Sequence, residues 1–178
     1  MKRRKAILFI AMSLDGCIAD ERGKVDWLAG QDANAAEPDF YTDFIREVDT
    51  VLMGWNTYRQ IVTELSPDEW PYAGLTSYVV THRAPPARQG VRFTDEPPCE
   101  LVARLMQQPG RNLWICGGAS VIRPLMAAGL IDEYRITVIP TLLGAGIRLF
   151  EAPFDPTTLR LTRVREGNGM VELAYERR

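Results

Sequence analysis

The chain has 178 residues, 46% of them apolar, and its 21 basic and 23 acidic side chains leave a net charge of −2. That length fills one sizeable core and falls short of two, so a single domain spanning residues 1–178 is expected. The balanced charge excludes the global positive field that nucleic acid or an anionic membrane surface requires, and neither is expected as a partner.

The basic run Lys2-Arg3-Arg4-Lys5, then apolar residues 6–14 and Cys17, has the outline of a secretory or lipoprotein leader. Asp15 stands directly before Gly16-Cys17, where processing needs small neutral residues, so the run reads as a solvated tail. No stretch approaches the ~20 apolar residues of a membrane span, and a cytoplasmic protein is expected. Cys17, Cys99 and Cys116 are odd in number and form no Cys-x-x-Cys pair. They fit neither a disulfide framework nor a zinc site and read as small buried hydrophobes; no metal is expected.

Residues 5–13 are rich in Ile, Leu, Phe and Ala without polar alternation, as in a strand buried on both faces. Residues 39–48 place Phe40, Phe44 and Val48 on one helical stripe, and a second buried strand follows at 48–53. Residues 56–65 form a second helix through Tyr58, Ile61, Val62 and Leu65. A strand at 77–81, a helix at 100–108 carrying Leu101, Leu105 and Met106, and a strand at 112–116 continue the alternation. Residues 120–128 form a fourth helix ended by Gly129. The character then changes: residues 133–139 are a strand, 140–146 a loop, and 159–166 with 170–177 flank the hairpin signal Gly167-Asn168-Gly169. Proline-rich stretches at 67–71, 85–86 and 97–98 read as surface connections. The expected fold is three-layer α/β, with a mixed, mainly parallel sheet and a C-terminal antiparallel hairpin.

Chemistry collects at three strand ends. The run Leu113-Trp114-Ile115-Cys116-Gly117-Gly118-Ala119-Ser120-Val121-Ile122 is a strand that stops at two glycines and turns into a helix. Glycines let backbone approach a phosphate, and the first-turn amides of the new helix point at its charge. A plain tight turn uses the same residues, so the other two ends matter. They are Ile10 to Ala19, running into a loop with Asp26-Trp27, and Val51-Leu52-Met53-Gly54-Trp55-Asn56-Thr57-Tyr58. In a parallel sheet all three fall at the carboxyl edge, where open α/β folds bind ligands. Gly-x-Gly-x-x-Gly and Gly-Lys-Ser/Thr fingerprints are absent. The single histidine, His82, has no Gly-x-Ser-x-Gly partner and cannot make a histidine metal pair; it reads as a surface or structural residue.

Four segments together, Met12-Ser13-Leu14-Asp15-Gly16-x-Ile18-Ala19, Met53-Gly54-x-x-Thr57-Tyr58, Gly117-Gly118-Ala119 and Pro140-x-Leu142-Leu143-Gly144-x-Gly146 with Leu149-Phe150, carry a resemblance. The chain resembles the dihydrofolate reductase-like superfamily. Within it, the match is to the branch of the riboflavin-biosynthesis reductase domain (RibD C-terminal-like), from about residue 5 to the C-terminus. The resemblance implies NADPH as hydride donor, a 5-amino-6-(5-phosphoribosylamino)uracil reductase-like or pterin-like reaction on a small substrate, and a homodimer. Carried over by position, it implies Ala11 and Ile18 at the nicotinamide end, with Ala11 offering backbone atoms to the carboxamide. Gly54, Thr57, Gly117, Gly118, Ala119, Ser120 and Val121 would hold the pyrophosphate. Thr81 and Arg83, flanking His82, would sit at the adenosine 2′-phosphate. Dihydrofolate reductases often carry an arginine after the glycine of the second motif; this chain has Trp55, which leaves coenzyme preference to Arg83 or makes Arg83 a solvated loop residue.

On the substrate side the resemblance implies one buried acid shortly after a tryptophan. Trp27 matches the tryptophan, and an insertion at 28–38 blurs the acid, leaving Asp32, Asp39 and Asp43 with the branch's own Asp15 as candidates. Asp15 and Asp43 are taken as the catalytic pair; for Asp15 a turn-capping role is the competing reading. Phe40 and Phe44 line a ring pocket or belong to the core. Leu143 and Gly144 shape a substrate wall or a dimer seam. No His-x-Glu with Pro-Cys-x-x-Cys deaminase motif occurs, so a stand-alone reductase module is expected. Two competitors remain: a non-catalytic nucleotide-binding homodimer, and a true dihydrofolate reductase, which the Ser13-Leu14-Asp15-Gly16 and Leu143-Gly144-x-Gly146 segments disfavour.

Overall fold

The computed structural model describes residues 3–36, 38–151 and 154–178. Lys2 of the basic run and Glu37 of the insertion after Trp27 lie outside the described residues. The strands are β1 (Ala6–Ser13), β2 (Cys17–Ala19), β3 (Val48–Gly54), β4 (Thr76–Val80), β5 (Val91–Thr94), β6 (Asn112–Gly117), β7 (Glu133–Ile139), β8 (Ile147–Arg148), β9 (Leu159–Gly167) and β10 (Met170–Arg177). Eight of them form one sheet in the order β5-β4-β3-β6-β1-β7-β10-β9, and β2 pairs with β8 in a separate antiparallel ribbon. Pairing is parallel from β5 to β7 and antiparallel on both sides of β10.

The unbroken apolar run of the first strand explains its central place. Ala6, Ile7 and Leu8 are fully buried, with β6 on one side and β7 on the other. Helices α1 (Tyr41–Glu47), α2 (Trp55–Gln60), α3 (Pro98–Met106) and α4 (Ala119–Ala127) cover both faces. On one face Leu8, Leu52, Leu113 and Ile115 meet Leu101 and Leu105 of α3 and Val121, Ile122 and Leu125 of α4. On the other, Ile7, Val51, Met53 and Trp114 meet Phe44 of α1 and Tyr58 of α2. Each fully buried aliphatic side chain contributes about 1.5–3 kcal/mol, so the three layers are held by these two apolar clusters.

The element ends have local causes. α1 starts at Tyr41, two residues after the expected start, because Asp39 Oδ1 accepts the amides of Tyr41 and Thr42 at 3.1 and 2.8 Å. α2 begins at Trp55, and its continuation Ile61–Leu65 widens into a π turn, closed by the Ser66 amide on the Ile61 carbonyl at 2.8 Å. In the C-terminal hairpin Asn168 and Gly169 have φ of +49° and +74°, the two left-handed positions of a type I′ turn. Among the described residues no helix is long and apolar enough to cross a membrane.

Candidate functional site

The carboxyl ends of β1, β3 and β6 open into one cleft of about 540 Å³. Ala11 and Ile10 come from β1, Gly54 and Thr57 from the β3–α2 joint, and Gly117, Gly118, Ala119 and Ser120 from the β6–α4 joint. Ile18 and Ala19 of β2 and Ile147 of β8 supply another wall, and the loop at 21–28 with Arg59, Gln60 and Glu64 forms the rim. Eight of the eleven residues expected to hold a coenzyme therefore meet in a single cavity.

The glycines do what the backbone demands of them. Gly117 and Gly118 have φ of +152° and +22°, and a Cβ on Gly118 would press on Thr57 Oγ1 at 3.3 Å. The Gly118 amide donates to Thr57 Oγ1 at 3.0 Å, which locks the two glycine joints together. α4 begins without a side-chain cap, leaving the Ala119 and Ser120 amides and its positive dipole end beside the cleft. A Cβ on Gly54 would meet Ser120 Oγ at 3.3 Å, so both helix starts approach as closely as they do only without it. The rim carries Arg22, Lys24 and Arg59 with Glu21 and Glu64, of which Lys24 and Glu64 pair at 2.9 Å. This donor set and backbone cradle fit an anionic, dinucleotide-sized ligand.

The remaining expected residues stand elsewhere. Val121 is core: it is buried, and its amide donates to the Gly118 carbonyl, so neither its side chain nor its amide is open to a ligand. Thr81 is buried and accepts the Arg83 amide at 3.0 Å. Arg83 lies off the cleft lining, its guanidinium 5.4 Å from the Trp55 ring at the start of α2. Trp27 and Phe40 pack with Ile139, Met170, Phe9 and Ala11 in a third small cluster. Phe40 also lies under the Arg165 guanidinium, and Phe44 stacks on Phe9 at 4.1 Å, so both phenylalanines are core.

None of the four candidate aspartates lines the cleft. Asp15 accepts the Ser13 hydroxyl at 2.6 Å and the amides of Leu143 and Gly144 at 3.2 and 2.7 Å. These bonds, the Ser13 hydroxyl first, hold its carboxyl down at about 2 and make it a pin between two loops, outside the cleft lining. Leu143 and Gly144 are accordingly committed to Asp15 and do not face the cleft. Asp32 and Asp39 accept backbone amides of their own turns. Asp43 is 67% exposed beside Arg46, because it lies on the solvent stripe of α1.

Two residues of the inner cleft escaped the sequence reading. Tyr72 directly follows the proline-rich connection at 67–71, and Cys116 reads from sequence as a small buried hydrophobe. Tyr72 stands edge-on to Trp70 at 5.2 Å and to Trp114 at 5.0 Å, and it lines the cleft together with Cys116. Burial pushes the Cys116 thiol up to about 12, and burial followed by the Cys116 charge raises Tyr72 as well. The available signal was the spacing of Trp70 and Tyr72, two aromatics in a loop that a mere connector does not need.

Comparison with known proteins agrees with this architecture. The model of the RibD C-terminal domain family matches residues 4–171. The uncharacterized protein YwjB of Bacillus subtilis is 43% identical over 179 residues, covering 98% of each chain. A crystal structure from Shewanella sp. PV-4, provisionally named a riboflavin biosynthesis protein, superposes with a TM-score of 0.76 at 30% identity. The match covers 98% of this chain and 99% of that one. The Thermotoga maritima diaminohydroxyphosphoribosylaminopyrimidine deaminase/5-amino-6-(5-phosphoribosylamino)uracil reductase gives 0.68 at 14% identity, covering 98% of this chain and 57% of its own, a likeness of fold alone.

Proposed function

The chain belongs to the RibD C-terminal domain family, and from that premise we propose that it is a single-domain, NADPH-dependent reductase acting on a C=N or C=O carbon of a small heterocyclic or ribosylamine-type substrate. The observation that carries the reading is the convergence of Ala11, Ile18, Gly54, Thr57, Gly117, Gly118, Ala119 and Ser120 on one cleft at the carboxyl edge of the sheet. Gly54, Thr57 and the Gly117 to Ser120 turn would hold the pyrophosphate, through backbone amides and the α4 dipole. Ala11 and Ile18 would flank the nicotinamide. Arg83, laid on Trp55, would present its guanidinium edge to a 2′-phosphate, with Thr81 fixing the Arg83 backbone. When bound, the coenzyme supplies the hydride. The protein supplies orientation, with Ile18 and Ala19 of β2 and Ile147 of β8 as one wall of the cleft.

Fluorescence titration of the protein with NADPH and NADH tests this. NADPH is expected to bind at least about tenfold tighter than NADH, and Arg83→Ala to bring the two within about twofold. Binding of neither coenzyme overturns the reductase reading and leaves the non-catalytic one.

A further inference from the structure

Reduction of a C=N or C=O group needs a proton as well as a hydride, and every aspartate candidate for that proton lies outside the cleft. The carboxylates that do line it, Glu21 and Glu64, are exposed on its rim, and Glu64 is bound to Lys24. The hydroxyls of Thr57 and Ser120 stand at the glycine joints, where Thr57 Oγ1 already accepts the Gly118 amide. What remains at the inner end, beside the tip of β6, is the Tyr72 hydroxyl and the Cys116 thiol.

We propose that Tyr72, which lines the cleft with its ring held edge-on by Trp114 and Trp70, is the proton donor of the reaction, its hydroxyl hydrogen-bonding the heteroatom of the C=N or C=O group under reduction. The assignment rests on the reductase reading above. The ring is held for this work. Its two edge-on tryptophan contacts fix its plane, Trp70 Nε1 donates to Ser77 Oγ at 3.2 Å, and the Leu75 amide closes a turn on the Tyr72 carbonyl at 2.9 Å. Cys116 and Tyr41, whose electrostatics act on Tyr72, are both neutral at pH 7, and the charged groups of the cleft, Glu21, Arg22, Lys24, Arg59 and Glu64, lie on its rim. Burial keeps Tyr72 protonated across the physiological range, the state a donor needs.

The atoms balance as follows. The acceptor carbon takes the hydride, the π pair of the C=N or C=O bond moves onto the heteroatom, and that atom takes the Tyr72 proton. The Tyr72 O–H bond breaks as the new N–H or O–H bond forms. The phenolate regains a proton from water that enters the open cleft when product leaves.

Tyr72→Phe removes one oxygen and keeps both aromatic contacts. Three measurements compare it with the wild type: NADPH affinity by fluorescence, calorimetric affinity for a reduced phosphoribosylaminopyrimidine without coenzyme, and kcat with the corresponding oxidised pyrimidine. The expected result is NADPH affinity within about twofold, pyrimidine affinity weakened about three- to tenfold, and kcat lowered about 10²–10⁴-fold. A wild-type solvent deuterium isotope effect on kcat is also expected. Tyr134→Phe, a buried tyrosine on the opposite face of the sheet, should leave kcat unchanged. Should the phenylalanine variant not fold, Tyr72→His carries the test: it restores a ring donor and should make kcat fall above about pH 6.5. A kcat within about threefold of wild type in Tyr72→Phe, or a flat pH profile in Tyr72→His, overturns the Tyr72 assignment and leaves the reductase reading intact. A wild type that binds NADPH but reduces no ribosylaminopyrimidine or pterin also overturns it. Absence of NADPH binding overturns both.

Discussion

Asp15 shows how one carboxylate can tie two loops of a fold together. Its three acceptor bonds join the β1–β2 turn to the loop at 142–146, and Ser13 Oγ, which donates to it, also accepts the Cys17 amide at 2.9 Å. Because the folded carboxyl is held at about 2, below its ordinary value of 3.8, the tie stabilises the native state fully above about pH 4. The contribution is lost as pH falls from about 4 through 2. Thermal melting across pH 2–6 should therefore show wild type above Asp15→Asn at pH 5–6, with the gap narrowing below about pH 4 and closing toward about pH 2. A constant gap at all pH values would mean that the asparagine amide, not the charge, is what the loop rejects. Trp55 is the second residue whose meaning changes with context. The resemblance marks it as a missing arginine, yet it supplies the face on which Arg83 rests, so that under the proposed function a cation from beyond β4 would take the place of one from the start of α2.

At the scale of elements, the strands and helices with a long apolar period were legible. β7 and β10 occupy the predicted residues, because a fully buried strand and an Asn-Gly hairpin leave no ambiguity of period. β2, β5 and β8 were not legible: they have three, four and two residues, and β5 is a half-buried edge strand without alternation. The cleft's glycine joints, at Gly54 and Gly117-Gly118, were legible, since a local backbone need shows in a local sequence. The inner end of the cleft was not, since Tyr72 reaches the cleft only through packing of a loop on Trp114, far away in sequence. The missed β2–β8 ribbon has a sharp requirement of its own. Gly146 has φ of +152°, and a Cβ there would overlap the Ala19 carbonyl oxygen, a backbone atom that cannot swing away. Gly146→Ala is thus expected to cost about 1–3 kcal/mol, or roughly 3–10 °C in melting temperature. Because Ala19 and Ile147 wall the cleft, NADPH affinity should fall with it. A variant with wild-type melting and binding would mean that the ribbon relaxes freely.

The whole molecule is lopsided in how it covers its sheet. On the α1 side of β7, β10 and β9 the layer is ionic: Glu172, 1% exposed, takes Arg165 at 2.8 Å and Arg163 at 3.3 Å, and Arg135 lies between Glu133 and Glu47 over the Phe44 ring. These pairs neutralise each other, with the Arg163 Nε left buried without a partner, and removing one member strands a buried charge. On the opposite side of the same strands, Val164 lies across from Leu173 and Leu161 across from Tyr175, yet Leu161 and Val164 remain 50% and 52% exposed. They stand on the outermost strand of the sheet, whose free edge and apolar face are costly to leave in water. A second copy of the chain suits this surface, since an isologous contact places the same stripe on both sides and needs only about 800 Å² per partner. The homodimer that the family resemblance implies is therefore proposed to form here. Light scattering at about 50 µM should give the mass of two chains for the wild type and of one for Leu161→Arg combined with Val164→Arg. NADPH affinity should be retained within about threefold, because neither residue lines the cleft. A wild type of single-chain mass would sink the dimer, and a double variant that stays dimeric would move the contact to another face.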